Sequence, residues 1–357
     1  MRVAHSGPGP VRGGDPREVA RAILGECYST PFLPELPDRG PGADEVGRTA
    51  AMLTDLPVDA SPRGWRLAGS PGRLSRRAVD FLDRDSDALE EADELARDPD
   101  DEPGGAGRRL LVRALGPWSL AARLEMPGGP SVLTDRGARR DVAASLAEGV
   151  AVRAVRLSER MRSRARVLLD EPALWHVHAG TVATQSRLDP VAAVPADQLS
   201  LSLCRFADAL RAAGVDEVLA RVPAEAGPDA PARWSILAEP PRDETPLDGL
   251  CLDSGVLHSA RSHGALDAAG TVLGQGRLLQ LEGLPGTAGL PTTGPEVERA
   301  VSRILDLLER LSAPRYAGLG QLVLTPSVEE MTSAGARPAD ALAAVRLVAE
   351  AAPRLAE

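Results

Sequence analysis

From residue 109 onward, short apolar runs alternate with longer stretches in which apolar residues recur every three or four positions. Runs of the first kind predict buried strands at Arg109–Gly116, Ala165–Pro172, Glu217–Val222, Leu250–Gly255, Leu278–Gly283 and Gln321–Pro326. The second kind predicts helices over Asp135–Met161, Asp197–Ala213, Glu296–Leu311 and Pro338–Leu355. Asp135 is placed as an N-cap and Gly214 as a stop. Trp234–Leu237 is a further apolar run. Strand and helix alternate with no hairpin signal, which predicts a parallel sheet covered on both faces.

The first hundred residues are less regular. Helices are expected at Pro16–Leu24 and Leu74–Leu95, joined by a Pro/Gly-rich stretch over Pro31–Gly72. Residues 98–107, acidic and glycine-rich, are expected to be a loop or a short disordered spacer. At 357 residues the chain has room for two ordinary domains or one large α/β barrel. Because the strands after that loop fall short of eight, residues 1–357 are expected to form a single barrel with an N-terminal elaboration.

Composition removes several function classes. All 41 basic residues are Arg and there is no Lys, so a Schiff-base lysine, a pyridoxal phosphate lysine and a Walker lysine are all excluded. Net charge is −10, with the basic run Arg153–Arg166 as the one cationic stretch, which argues against nucleic-acid binding. That run reads as a solvated helix face or as an anion site. Three dispersed cysteines (Cys27, Cys204, Cys251), no apolar leader and no stretch of eighteen apolar residues predict a cytoplasmic protein without a membrane span.

Candidate chemistry gathers at strand ends. Asp170 and Glu171 close the strand Ala165–Pro172, and two carboxylates there can bind a cation, orient an amine or act as a base. His176 and His178 follow. In an extended segment both imidazoles would lie on one side and, with Asp170 or Glu171, make a metal site. His258 and His263 match no zinc spacing. The loop Ser6–Pro16 opens a helix and allows a phosphate cradle, without either standard glycine motif. Ser119 and Ser202 lack a nucleophile-elbow context.

Several segments together resemble the cobalamin-independent methionine synthase family, in particular short actinobacterial chains similar only to its C-terminal catalytic barrel. They are Leu33–Leu53, Ala114–Gly129, Asp135–Val150, Leu168–Leu174 and Leu322–Ser327. The resemblance implies a (β/α)₈ TIM barrel related to uroporphyrinogen decarboxylase. It implies a methyltransferase acting on a small thiol or amino acid at the barrel mouth, with zinc and a methylated folate as cofactors. Zinc would hold the substrate sulfur as a thiolate.

Carried over residue by residue, the family's zinc ligands fall on Ala220, Val222, Asp253 and Val328. Three of these side chains have no lone pair to offer a metal. The resemblance thus comes with a degenerate zinc site, and no cofactor is assigned. Asp170 and Glu171 are the candidate catalytic residues, and Glu35, Asp170 and Asp253 the candidate substrate contacts. Two readings stay open: a zinc-free methyltransferase-family protein, and a binding paralogue, pseudoenzyme or repurposed barrel enzyme.

Overall fold

A computed structural model describes residues 3–97, 107–183, 191–223, 232–258, 263–284 and 290–355. Most of the acidic loop expected at 98–107 lies outside them. Among these residues ten strands occur in chain order: β1 (Ala4–His5), β2 (Val58–Ser61), β3 (Gly64–Leu67), β4 (Arg109–Leu115), β5 (Leu124–Glu125), β6 (Arg164–Asp170), β7 (Glu217–Arg221), β8 (Gly249–Asp253), β9 (Leu278–Glu282) and β10 (Leu322–Thr325). Seven make one curled sheet in the order β1-β10-β9-β8-β7-β6-β4, every neighbouring pair parallel.

The apolar runs become strands because helices cover their outer face. β4 keeps only Arg109 partly exposed, and β6 only Arg164 exposed. The helix Arg136–Arg160 starts where Asp135 accepts a hydrogen bond from the Ala138 N–H, and Gly214 ends Ala196–Ala212 with a φ of +103°. Thr293 and Glu296 form a capping box that opens Gly294–Arg310. Trp234–Leu237 enters a short helix, Ser235–Ala238. None of the described helices is long and apolar enough to cross a membrane.

Two expectations need correction. The sheet has seven strands and does not close as an eight-stranded barrel. Its seam, between β1 and β4, is spanned by residues 29–35 without a regular ladder. The Leu33 N–H donates to the Leu111 carbonyl of β4 and the Leu111 N–H to the Pro31 carbonyl, while Val11 and Glu35 tie the segment to the chain after β1. Pro31 and Pro34 bring no N–H, so a continuous ladder cannot form there. The Pro/Gly-rich stretch Pro31–Gly72, expected only to join two helices, also holds a hairpin. β2 and β3 are antiparallel, joined through a turn whose Gly64 has a φ of +147°, and β3 pairs with β5. Ser61-Pro-Arg-Gly64 was the available turn signal.

Candidate functional site

Side chains alternate between the two faces of a strand, and registered neighbours share a face. Arg113, Asp170, Arg221, Cys251, Gln280 and Glu282 therefore all belong to the concave face at the carboxyl ends of the strands. Charged residues of this face belong to one continuous chain of alternating sign that begins at the helix Arg73–Ala96. Arg39 meets Asp85 at 2.7 Å, Asp85 meets Arg48 at 3.0 Å, and Arg48 lies 3.9 Å from Glu35. Glu35 meets Arg113 at 2.7 Å, and Arg113 bonds Asp170. Arg221 follows, 3.3 Å from Asp170 and 2.5 Å from Glu282. The lattice is neutral, four guanidiniums against four carboxylates.

Its members are buried except Arg221, whose side chain keeps 24% exposure, and Arg39 at 11%. Burial opposes the charge on Arg113, but Asp170 and Glu35 outweigh it and hold its pKa above the ordinary value. The same holds for Arg221, where burial is outweighed by Glu282 and Asp170. Glu282 also accepts the Val328 N–H at 3.1 Å. The loop Ser6–Pro16 lies over this lattice. A Cβ on Gly9 would stand 3.0 Å from both Arg113 and Glu35, so the loop backs the ion pairs.

Glu171 belongs elsewhere. Fully buried, it accepts the N–H groups of Trp118 (3.1 Å) and Ser119 (2.7 Å) and the Ser119 hydroxyl (2.6 Å). It thereby satisfies the first turn of the helix Pro117–Arg123. A Cβ on Gly116 would fall 2.3 Å from this carboxylate, which is why glycine stands there. Burial pushes the Glu171 carboxyl up to about 7, against the pull of Ser119 and Trp118.

The positions matched to zinc ligands do not surround one point. Ala220 pairs in register with Leu169 and Leu250, on the face turned to the helices, and Val222 has the same parity. Arg221 between them is the residue that faces inward. The expectation that Ala220 and Val222 sit within the mouth is therefore corrected: alternation sends them outward. Asp253 is exposed and accepts the N–H groups of Gly255 (2.7 Å) and Val256 (3.2 Å). Val328 reaches the site through its backbone alone. With a cation in the centre and no lone pairs at three positions, these residues do not fit zinc. Among the described residues no group of three or more His, Cys, Asp and Glu is placed to hold a metal.

His176 and His178 also part company. Their segment is the helix Leu174–Ala179, not an extended strand, so residues two apart point to different sides. His176 Nδ1 bonds Thr181 Oγ1 and His178 Nδ1 bonds the Val194 carbonyl, both at 2.9 Å.

Among solved structures the chain is similar to a B12-independent methionine synthase from Shewanella sp. W3-18-1, in complex with selenomethionine. Identity is 13% and the TM-score 0.52, over 99% of this chain and 98% of that one. The fold is methionine synthase-like. At this identity the relation is distant and rests on the fold. A GH18 chitinase from Pseudoalteromonas aurantia aligns at 10% identity and a TM-score of 0.37 over 91% of this chain and 94% of that one, too remote to bear on the site. A scan against protein-family models finds no match, and a search of the curated proteins finds none either.

Within this methionine synthase-like fold, Arg113, Arg221, Gln280 and Glu282 escaped the sequence reading. A signal was present: each is a polar residue at the inward parity of an otherwise apolar strand. Gln280 is fully buried, and among the described residues neither its amide nitrogen nor its amide oxygen has a hydrogen-bond partner. Cys251, its registered neighbour on β8, is also buried, and burial together with Glu282 holds its thiol well above the usual range.

Proposed function

We propose that this chain is a methionine synthase-like barrel that binds a small zwitterionic ligand of the amino-acid kind at its mouth, and that it carries out no zinc-thiolate methyl transfer. The observation that carries this reading is the alternating lattice from Glu35 to Glu282, with Arg221 as its partly exposed link. A zwitterion presents one carboxylate and one ammonium a short distance apart. Such a ligand replaces the Arg221–Glu282 link, its carboxylate on the guanidinium and its ammonium on Glu282 and Asp170, and leaves the lattice neutral. A net anion or cation would leave one buried charge unpaired, at a cost of several kcal/mol.

Three further points support it. Buried ion pairs add little stability compared with apolar residues of the same volume, so a chain of eight charges that runs from the helix Arg73–Ala96 into a barrel mouth calls for a role beyond folding. The unpartnered Gln280 amide lies in the same interior and offers a donor and an acceptor to a ligand. The solved neighbour carries selenomethionine, an amino acid. Asp170, clamped by two arginines, and Glu171, bound to a helix start, are both committed, so neither is free as a general base. Restoring a zinc site by Ala220→His would aim the imidazole at the helices.

Calorimetry with methionine, N-acetylmethionine and methioninamide tests the reading. Methionine should bind, both blocked forms should fail, and Arg221→Gln should weaken methionine at least tenfold. No methionine should form from homocysteine and 5-methyltetrahydrofolate with zinc supplied. Turnover above a heat-killed control, or equal binding of the blocked forms, would overturn it.

A further inference from the structure

Away from the mouth, on the outer wall, a cavity of about 370 Å³ lies between the helices Arg73–Ala96 and Arg136–Arg160, floored by residues 51–54. We propose that this groove binds a small phosphate-bearing molecule with an apolar or planar body, of about mononucleotide size.

The basic run singled out in the sequence supplies the charge. Arg153, Arg156 and Arg160 all line the groove. At 100° per residue they fall within one 60° stripe of the helix, on successive turns. Arg153 meets Asp83 at 2.8 Å through one terminal nitrogen, and Arg160 approaches Glu90 at 2.8 Å through one. Arg156 is exposed and, among the described residues, has no ion pair. Asp83 compensates Arg153 and Glu90 compensates Arg160, which leaves the Arg156 guanidinium as the uncompensated charge of the lining in a protein whose net charge is −10. A local excess of positive charge inside a concavity, against that background, selects anions by field focusing. Guanidinium forks match phosphate oxygens in geometry and keep their charge at every relevant pH.

Apolar residues of the floor and of the arginine helix itself set the rest of the ligand. Met52, Leu53, Val152 and Leu157 give the groove an apolar side. Inorganic phosphate alone would leave that side uncovered, whereas a ring or short chain attached to the phosphate would lie on it. The volume is near the lower end of the roughly 300–1,000 Å³ range of small-molecule sites, which suits one nucleotide and not two. The floor is fixed, too. A Cβ on Gly149 would stand 1.6 Å from the Met52 carbonyl oxygen, so helix and turn meet backbone to backbone just before the arginine stripe begins. The groove is therefore formed before any ligand arrives.

Calorimetry with AMP, inorganic phosphate and adenosine is the test. AMP should bind best, phosphate should bind at least tenfold more weakly, and adenosine should not bind at millimolar concentration. Affinity for AMP should fall as salt rises. Arg156→Glu, at an exposed position, should fold with an unchanged circular dichroism spectrum and lose at least tenfold in AMP affinity, with Arg156→Ala in between. Arg221→Gln, at the mouth, should leave AMP binding unchanged. Failure of AMP and phosphate to bind, an affinity indifferent to Arg156→Glu, or loss of AMP binding in Arg221→Gln would overturn the proposal.

Discussion

Asp170 and Glu171 are neighbours in the chain and both are buried, yet they serve opposite sides of the sheet. Asp170 faces inward between Arg113 and Arg221, where two cations compensate it. Glu171 turns outward to three hydrogen-bond donors and no cation, and its carboxyl is pushed up to about 7. Strand alternation, not sequence adjacency, decides what a pair of carboxylates can do. Inside the sheet, charge is answered by charge; outside, by backbone dipoles.

The largest expected effect tests the inner half of that contrast. Arg113→Met leaves Glu35 and Asp170 buried without their shared cation, and should cost roughly 3–5 kcal/mol of unfolding free energy by urea titration at pH 7. A loss below about 1 kcal/mol would mean that water screens the mouth. Next comes the outer carboxylate. A folded pKa raised from 4.5 to about 7 makes the folded state the better proton binder in that window. The stability Glu171 contributes is then fully present below about pH 4.5 and is lost as pH rises through 7, by about 3 kcal/mol in all. Glu171→Gln should remove this slope, so its destabilising effect should shrink between pH 4.5 and 7 in parallel urea titrations.

A smaller gain is expected from Gln280→Leu. Removing two buried amide atoms that the protein leaves unpaired should raise stability by about 1–2 kcal/mol and weaken methionine binding. Loss of stability would indicate that an ordered water satisfies the amide. Least of all should come from Arg84→Ala. Its pair with Asp80, 65% and 52% exposed, should matter by no more than about 0.5 kcal/mol in the same titrations.

Much of the frame was legible. The long helices and six of the sheet strands follow from periodicity, and Asp135 caps as expected. Legibility ended where long-range geometry decides. The seam residues 29–35 carry two prolines and read as loop, yet they deliver Glu35 to the mouth. Likewise, the register of β7 against β6 turns Arg221 inward, whereas the family resemblance points to Ala220 and Val222 on the other parity. In WHVHAG, the two histidines suggested an extended pair, whereas the apolar Leu174, Trp175 and Val177 were the stronger, helical signal.

The pairing of β1 with β10 has a consequence for how the chain is made. Arg12 and Ser333, 321 residues apart, share a hydrogen bond, and among the described residues β1 has no other strand partner in the main sheet. At synthesis rates of about 5–20 residues per second, the amino terminus waits roughly 15–60 s for the segment it pairs with. Throughout that interval β1 and the outermost strand of the growing sheet offer open hydrogen-bonding edges, the feature that templates association between chains. Such distant closure also slows folding after release. Danger from aggregation is thus concentrated in the nascent protein, and a chain cut short before β10 inherits it permanently.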